Sequence, residues 1–88
     1  SSDPALEQLL MQWRDEAIRV ARANNIPVNG FLALITQESA WDPVAVSPVG
    51  AVGLVQLMPA TARQLGLTVD SSIDEREDPY KSLPDYPW

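Results

Sequence analysis

Leu6, Leu9, Leu10, Trp13, Ala17, Val20 and Ala21 recur at steps of three and four residues, the spacing that lines one face of an α-helix. Asp3 stands where an N-cap belongs and Pro4 where a first-turn proline is tolerated, so the pattern predicts a helix that runs to about Asn24. Its other face carries Glu7, Gln8, Arg14, Asp15, Glu16, Arg19 and Arg22, which makes it a surface helix burying one stripe, with Met11 and Trp13 read as core. Asn24 and Asn25 form a polar stop. Pro27 favours a turn, and Asn29 is the candidate cap of a second helix carrying Phe31, Leu32, Leu34 and Ile35 up to Glu38 or Ser39.

Positions 31, 34, 35 and 38 fall on one helical face, so Glu38 is expected to project from the apolar stripe toward the core. A buried carboxyl resists ionisation, stays protonated near neutral pH and can donate to a leaving oxygen. The competing reading is a glutamate at a frayed helix end that turns to solvent or pairs with an arginine. Periodicity alone leaves both open.

Beyond Trp41, the prolines at Asp42-Pro43 and Ser47-Pro48 disfavour helix for themselves and their predecessors. Gly50 and Gly53, with Ala51 and Val52 between them, allow positive φ and close approach of a ligand to the backbone. Pro59 then opens a short helix with Thr61 to Leu65 as its body and Gly66 as its C-cap. No Gly-Lys-Ser/Thr ending and no dinucleotide-binding spacing accompanies the glycines, so they do not form a phosphate cradle. The elements add up to a mostly α fold.

Composition narrows the chemistry. The 88 residues include no cysteine and no histidine, which excludes disulfides, thiol nucleophiles, histidine triads and most zinc sites. No metal and no cofactor is expected, and acid or base work near neutral pH falls to a carboxylate, a lysine, a tyrosine or water. The net charge of −6 is uneven. Through Leu67 six acids face four arginines, and from Thr68 onward six acids face only Arg76 and Lys81. That acidity argues against nucleic acid as a partner, since phosphate binding needs clustered Lys and Arg. Residues 68–88 read as an acidic, proline-containing solvated tail or as the start of a second half. No apolar run approaches the roughly 20 residues of a membrane span.

The stretch from Glu38 to Ala62 carries the most specific signal. Glu38-Ser39, Pro43, Ala45-Val46-Ser47, Gly50-Ala51-Val52-Gly53-Leu54-Val55-Gln56 and Pro59-Ala60-Thr61-Ala62 stand in the order and spacing of the soluble-type lytic transglycosylases, which share the goose-type lysozyme fold. The chain resembles the catalytic-glutamate half of that family over roughly residues 1–67, departing only at Val55, where methionine is usual. The resemblance implies a lysozyme-like helical fold and a single-carboxylate mechanism. Glu38 would protonate the oxygen between N-acetylmuramic acid and N-acetylglucosamine, then accept the proton of the muramic C6 hydroxyl as a 1,6-anhydro ring closes. The substrate's own N-acetyl group would stabilise the cation, placing the reaction among the exceptions to two-carboxylate glycoside cleavage. Ser47, Gly53, Leu54, Val55 and Gln56 match the family's substrate-binding positions, with Ser47 and Gln56 matching those that hydrogen-bond the sugar or its acetamido group.

A hydrolytic muramidase would need a second carboxylate, and Asp42 is the nearest in sequence, but its place before Pro43 fits an Asx-turn. The family's later tyrosine segment has no counterpart here, since neither Tyr80 nor Tyr86 stands in its context. Asp78-Pro79 followed by Lys81-Ser82-Leu83 looks like the opening of the family's next helix. The chain is therefore expected to be a truncated piece of a longer protein acting on peptidoglycan glycan strands. It would work beside further domains or in a larger assembly, as an exported enzyme of the cell envelope or a phage virion protein. The other function class is a non-catalytic structural or peptidoglycan-binding component of a secretion or virion machine.

Overall fold

The computed structural model describes residues 3–84, so Tyr86 and the last part of the acidic segment lie outside the described residues. Among the described residues four helices follow in order, α1 (Pro4–Ala23), α2 (Val28–Ser39), α3 (Pro59–Gln64) and α4 (Pro79–Ser82), with one 3₁₀ turn at Glu75–Glu77. Among the described residues no strand forms; three isolated antiparallel bridges, Val46 with Val52, Val52 with Leu57 and Val69 with Asp74, brace the loops.

α1 begins as its sequence predicts. The Asp3 carboxylate accepts from the amides of Ala5 and Leu6, and Pro4 occupies the first turn. It ends in a Schellman arrangement: Asn25, at φ 57°, donates to the Arg22 carbonyl and Ile26 to that of Ala21. The connection is so short that α2 folds straight back along α1. At about 1.5 Å per residue α2 covers only some three fifths of α1, and the mismatch falls at the start of α1. The apolar stripe is accordingly buried at Ala17, Val20 and Ala21 and half-buried at Trp13, while Leu6 and Leu9 are exposed. Met11, also exposed, is not core: six residues before Ala17, it stands about 120° around the helix from the buried stripe and lines a concavity with Leu32 and Thr36 of α2 instead. Asn29 is also not the cap of α2; Pro27 holds that position and no side chain caps the helix.

The core joins Ala17, Val20 and Ala21 to Phe31 and Ile35 of α2, Leu54, Val55 and Leu57 of the central loop, Ala62 of α3, Leu67 and Leu83. A fully buried residue such as Ile35 or Leu54 contributes on the order of 1.5–3 kcal/mol. α3 closes with a second Schellman pair, Gly66 (φ 91°) donating to Arg63 and Leu67 to Ala62, so Leu65 is the C-cap and Gly66 the residue after it.

Residues 68–84 do not form a solvated tail. Arg76, Pro79, Ser82 and Leu83 are buried, and Trp13 of α1 meets Tyr80 edge to face at 5.4 Å between ring centres. Four of the segment's acids are tied down by backbone amides: Asp70 accepts from Ser72 and Ile73, Asp74 from Arg76, Glu75 from Thr68 and Asp78 from Tyr80. The last of these caps α4, the helix that Asp78-Pro79 announces.

Candidate functional site

Glu38 stands in the last turn of α2 and is exposed, not buried. The buried line on this helix runs Phe31, Ile35, Ser39, each four residues on, so it drifts about 40° per step. Glu38 lies three residues past Ile35, roughly 60° to the other side, and leaves the core edge. Among the described residues its carboxylate makes no hydrogen bond and no ion pair.

Directly after it the chain reverses through two consecutive left-handed residues, Ala40 at φ 51° and Trp41 at φ 67°. Such conformations cost roughly 1–2 kcal/mol each outside glycine, so their surroundings must hold them. Ser39 does so: its hydroxyl donates to the Ile35 carbonyl and accepts from the Trp41 amide. The Trp41 indole N–H donates to Thr36 Oγ1 at 2.9 Å, folding the half-buried ring back onto α2. Two further turns, Asp42 N–H to Ser39 O and Ala45 N–H to Asp42 O, carry the chain into the central loop. Asp42 Oδ1 accepts from the Val44 amide at 3.0 Å, the Asx-turn that its position before Pro43 favours.

The loop from Ser47 to Leu57 is fastened at both ends. Ser47 and Ala51 close one turn through the Ser47 N–H to Ala51 O bond, and the Ser47 hydroxyl accepts from the Ala51 amide. The hydroxyl proton meets no acceptor among the described residues and can be donated outward. Val52 and Leu57 exchange both backbone hydrogen bonds at 3.0 Å. Gln56, at φ 54°, places its side-chain amide between two loop carbonyls, donating to Ala45 at 3.0 Å and Gly53 at 2.8 Å. Its Oε1 remains an acceptor. Leu54 and Val55 are buried in the core and form the floor under this loop.

Gly53 is required by the protein itself. At φ 94° a Cβ would overlap the Arg76 carbonyl oxygen, so it is a neighbouring main chain, from the acidic segment, that approaches this glycine. Gly50, at φ 93°, faces open space. Sequence reasoning missed Arg76 altogether. Its guanidinium is buried, forked on the Asp74 carboxylate at 2.8 and 2.7 Å, and it donates from one terminal nitrogen to the carbonyls of Gly50 and Leu57 at 3.0 and 3.1 Å. That pairing holds the Asp74 carboxyl below its ordinary value, first through the Arg76 side-chain hydrogen bond. The one available signal was a single arginine set among acids.

Two shallow concavities of about 360 and 420 Å³ flank Trp41 and the exposed start of α1, lined by Leu10, Leu32, Ala40 and Trp13 among others; Glu38, Ser47 and Gln56 line neither.

The described residues thus form a small helical scaffold that presents the exposed Glu38 carboxylate at a helix end, followed by a braced glycine-containing loop. The family model for the Transglycosylase SLT domain matches residues 15–84, and the chain belongs to that family. It is 43% identical over 56 residues to a soluble lytic murein transglycosylase of Salmonella typhimurium, covering 64% of this chain and 9% of that protein. It is 49% identical over 51 residues to a membrane-bound lytic murein transglycosylase F of Alcanivorax borkumensis, covering 58% and 10%. A transglycosylase of Enterobacteria phage PRD1 is 38% identical over 58 residues, covering 66% and 22%. The chain thus spans about a tenth of the length of the first two relatives and about a fifth of the third.

Proposed function

We propose that the protein is a peptidoglycan lytic transglycosylase that cleaves the β-1,4 bond between N-acetylmuramic acid and N-acetylglucosamine, with Glu38 as its catalytic acid and base. The observation that carries the proposal is the placement of Glu38: an unpartnered carboxylate at the end of α2, joined through the hydrogen-bonded Ser39 and Asp42 turns to the loop of Ser47 and Gln56. The Glu38 proton passes to the glycosidic oxygen as the bond from the muramic C1 breaks. The substrate's acetamido oxygen supports the developing cation. The Glu38 carboxylate then takes the proton of the C6 hydroxyl, whose oxygen bonds to C1 and closes the anhydro ring, so no water is consumed.

In this reading the Ser47 hydroxyl and the Gln56 Oε1 contact the sugar, while Gly53, Leu54 and Val55 set the shape of the loop beneath it. Among the described residues no helix is long and apolar enough to cross a membrane. The protein acts at the cell envelope, from the periplasm, from outside, or as a virion component delivered to the host wall, beside further domains or within a larger assembly. The names of the bacterial and phage relatives are compatible with each setting.

Incubating the protein with purified peptidoglycan and analysing the products by mass spectrometry tests the proposal. Anhydro-muropeptides that disappear in Glu38→Gln are the expected result. Reducing-end products would replace it with a hydrolytic muramidase, and the absence of any product would leave a binding or assembly role.

A further inference from the structure

Arg76 engages the central loop from two sides. Its guanidinium bridges the Gly50 and Leu57 carbonyls, and its own main-chain carbonyl lies against the Cα of Gly53. The two bridged carbonyls sit at strategic points. Gly50 ends the turn that begins at Ser47, and Leu57 is the partner of Val52 and the neighbour of Gln56. Four of the five guanidinium donors are used, two on these carbonyls and two on the Asp74 carboxylate, so the fork can shift only by breaking several bonds at once. The Asp74 carboxylate is held in turn, since its Oδ1 also accepts from the Arg76 amide at 3.1 Å.

We propose that Arg76 is a positioning residue for the sugar-contacting loop, orienting the Ser47 hydroxyl and the Gln56 amide through the Gly50 and Leu57 carbonyls. This inference rests on the transglycosylase reading of the site and adds to it a residue from the acidic segment. Lysine cannot replace it, because an ammonium cannot fork on Asp74 and bridge two carbonyls at once. The loop groups bind sugar, and the proton transfers belong to Glu38. Losing the clamp therefore raises KM more than it lowers kcat.

The test uses soluble glycan strands and compares Arg76→Lys with a core variant at Ile35, Ile35→Val or Ile35→Ala, chosen to match its loss of thermal stability. Kinetics are read well below both unfolding midpoints, where a purely structural loss leaves the folded fraction unchanged. Arg76→Lys is expected to lose roughly 10- to 100-fold in kcat/KM, chiefly through KM, while the matched core variant stays near wild type. Equal kinetics in the two variants overturn the inference and leave the transglycosylase reading standing. Wild-type protein that yields no anhydro products removes both. If Arg76→Lys fails to fold, Asp74→Asn decides: it keeps the arginine and loosens the fork, and a several-fold rise in KM supports the clamp whereas an unchanged KM overturns it.

Discussion

The main-chain carbonyl of Arg76 occupies the space in which a side chain on Gly53 would begin, the first atom of which would overlap the oxygen and lie 3.0 Å from the carbon. The acidic segment and the central loop therefore meet backbone to backbone at this point. Gly53→Ala must push this contact apart and also hold alanine at a φ of 94°, a combined loss of about 2–5 kcal/mol. Gly50→Ala carries the same backbone strain at φ 93° with nothing within 4 Å, and loses only about 1–2 kcal/mol. Urea unfolding of the two variants checks the difference; equal losses would mean that strain alone governs both sites.

The Asp74–Arg76 fork gives stability a defined pH dependence. The Arg76 hydrogen bond holds the Asp74 carboxyl below its ordinary value of 3.8, and backbone amides of Ile73 and Thr68 do the same for Asp70 and Glu75. A carboxyl whose folded pKa is depressed contributes stability above its unfolded value and loses it as the pH falls through the folded one. Stability should hold on descent from neutrality and then fall as the pH passes 4.5 and 3.8, continuing below. Asp74→Asn should be less stable near pH 7 and show a shallower acid decline. Denaturant midpoints between about pH 7 and pH 3 measure both, and parallel acid limbs in the two proteins would contradict the assignment.

The starts of α1 and α4 were legible because their signals are local. Asp3-Pro4 caps α1, a repeat of three and four marks its stripe, and Asp78-Pro79 announces α4. The depth of burial was not legible. Met11 is apolar but stands about 120° around α1 from its buried stripe, and Glu38 sits one position off the line that continues through Ser39. The acidic segment misled for a different reason. Composition counts Asp70, Asp74, Glu75 and Asp78 as repelling charges, whereas each satisfies backbone amides in a turn. The role of Arg76 depends on a contact with residues 19 and 26 positions away, and nothing local encodes it.

Ser39 holds the reversal that follows Glu38, and its hydroxyl is the link between Ile35 and the strained Trp41 amide. Ser39→Ala removes one buried acceptor and leaves the left-handed pair less well supported. A loss of about 1–2 kcal/mol is expected. Because the turn also aims the loop, activity on peptidoglycan should fall well below the cool end of the unfolding transition. Ser39→Thr, which keeps the hydroxyl, should retain more of both. An Ser39→Ala protein of reduced stability and undiminished turnover would confine the serine to stability.

Glu38 separates chemistry from folding most sharply. It is exposed, and among the described residues no donor or cation holds it. Glu38→Gln therefore removes no interaction from the folded state, and its unfolding midpoint should match wild type within about 0.5 kcal/mol. Its amide can neither give the glycosidic oxygen a proton nor accept one from the C6 hydroxyl. Anhydro-product formation should fall at least 10²- to 10⁴-fold, with glycan binding little changed. Calorimetric binding to soluble glycan strands, measured beside turnover, distinguishes the cases. A variant that still turns over would move the acid elsewhere, and one that loses binding together with turnover would make Glu38 a substrate contact instead of the proton donor.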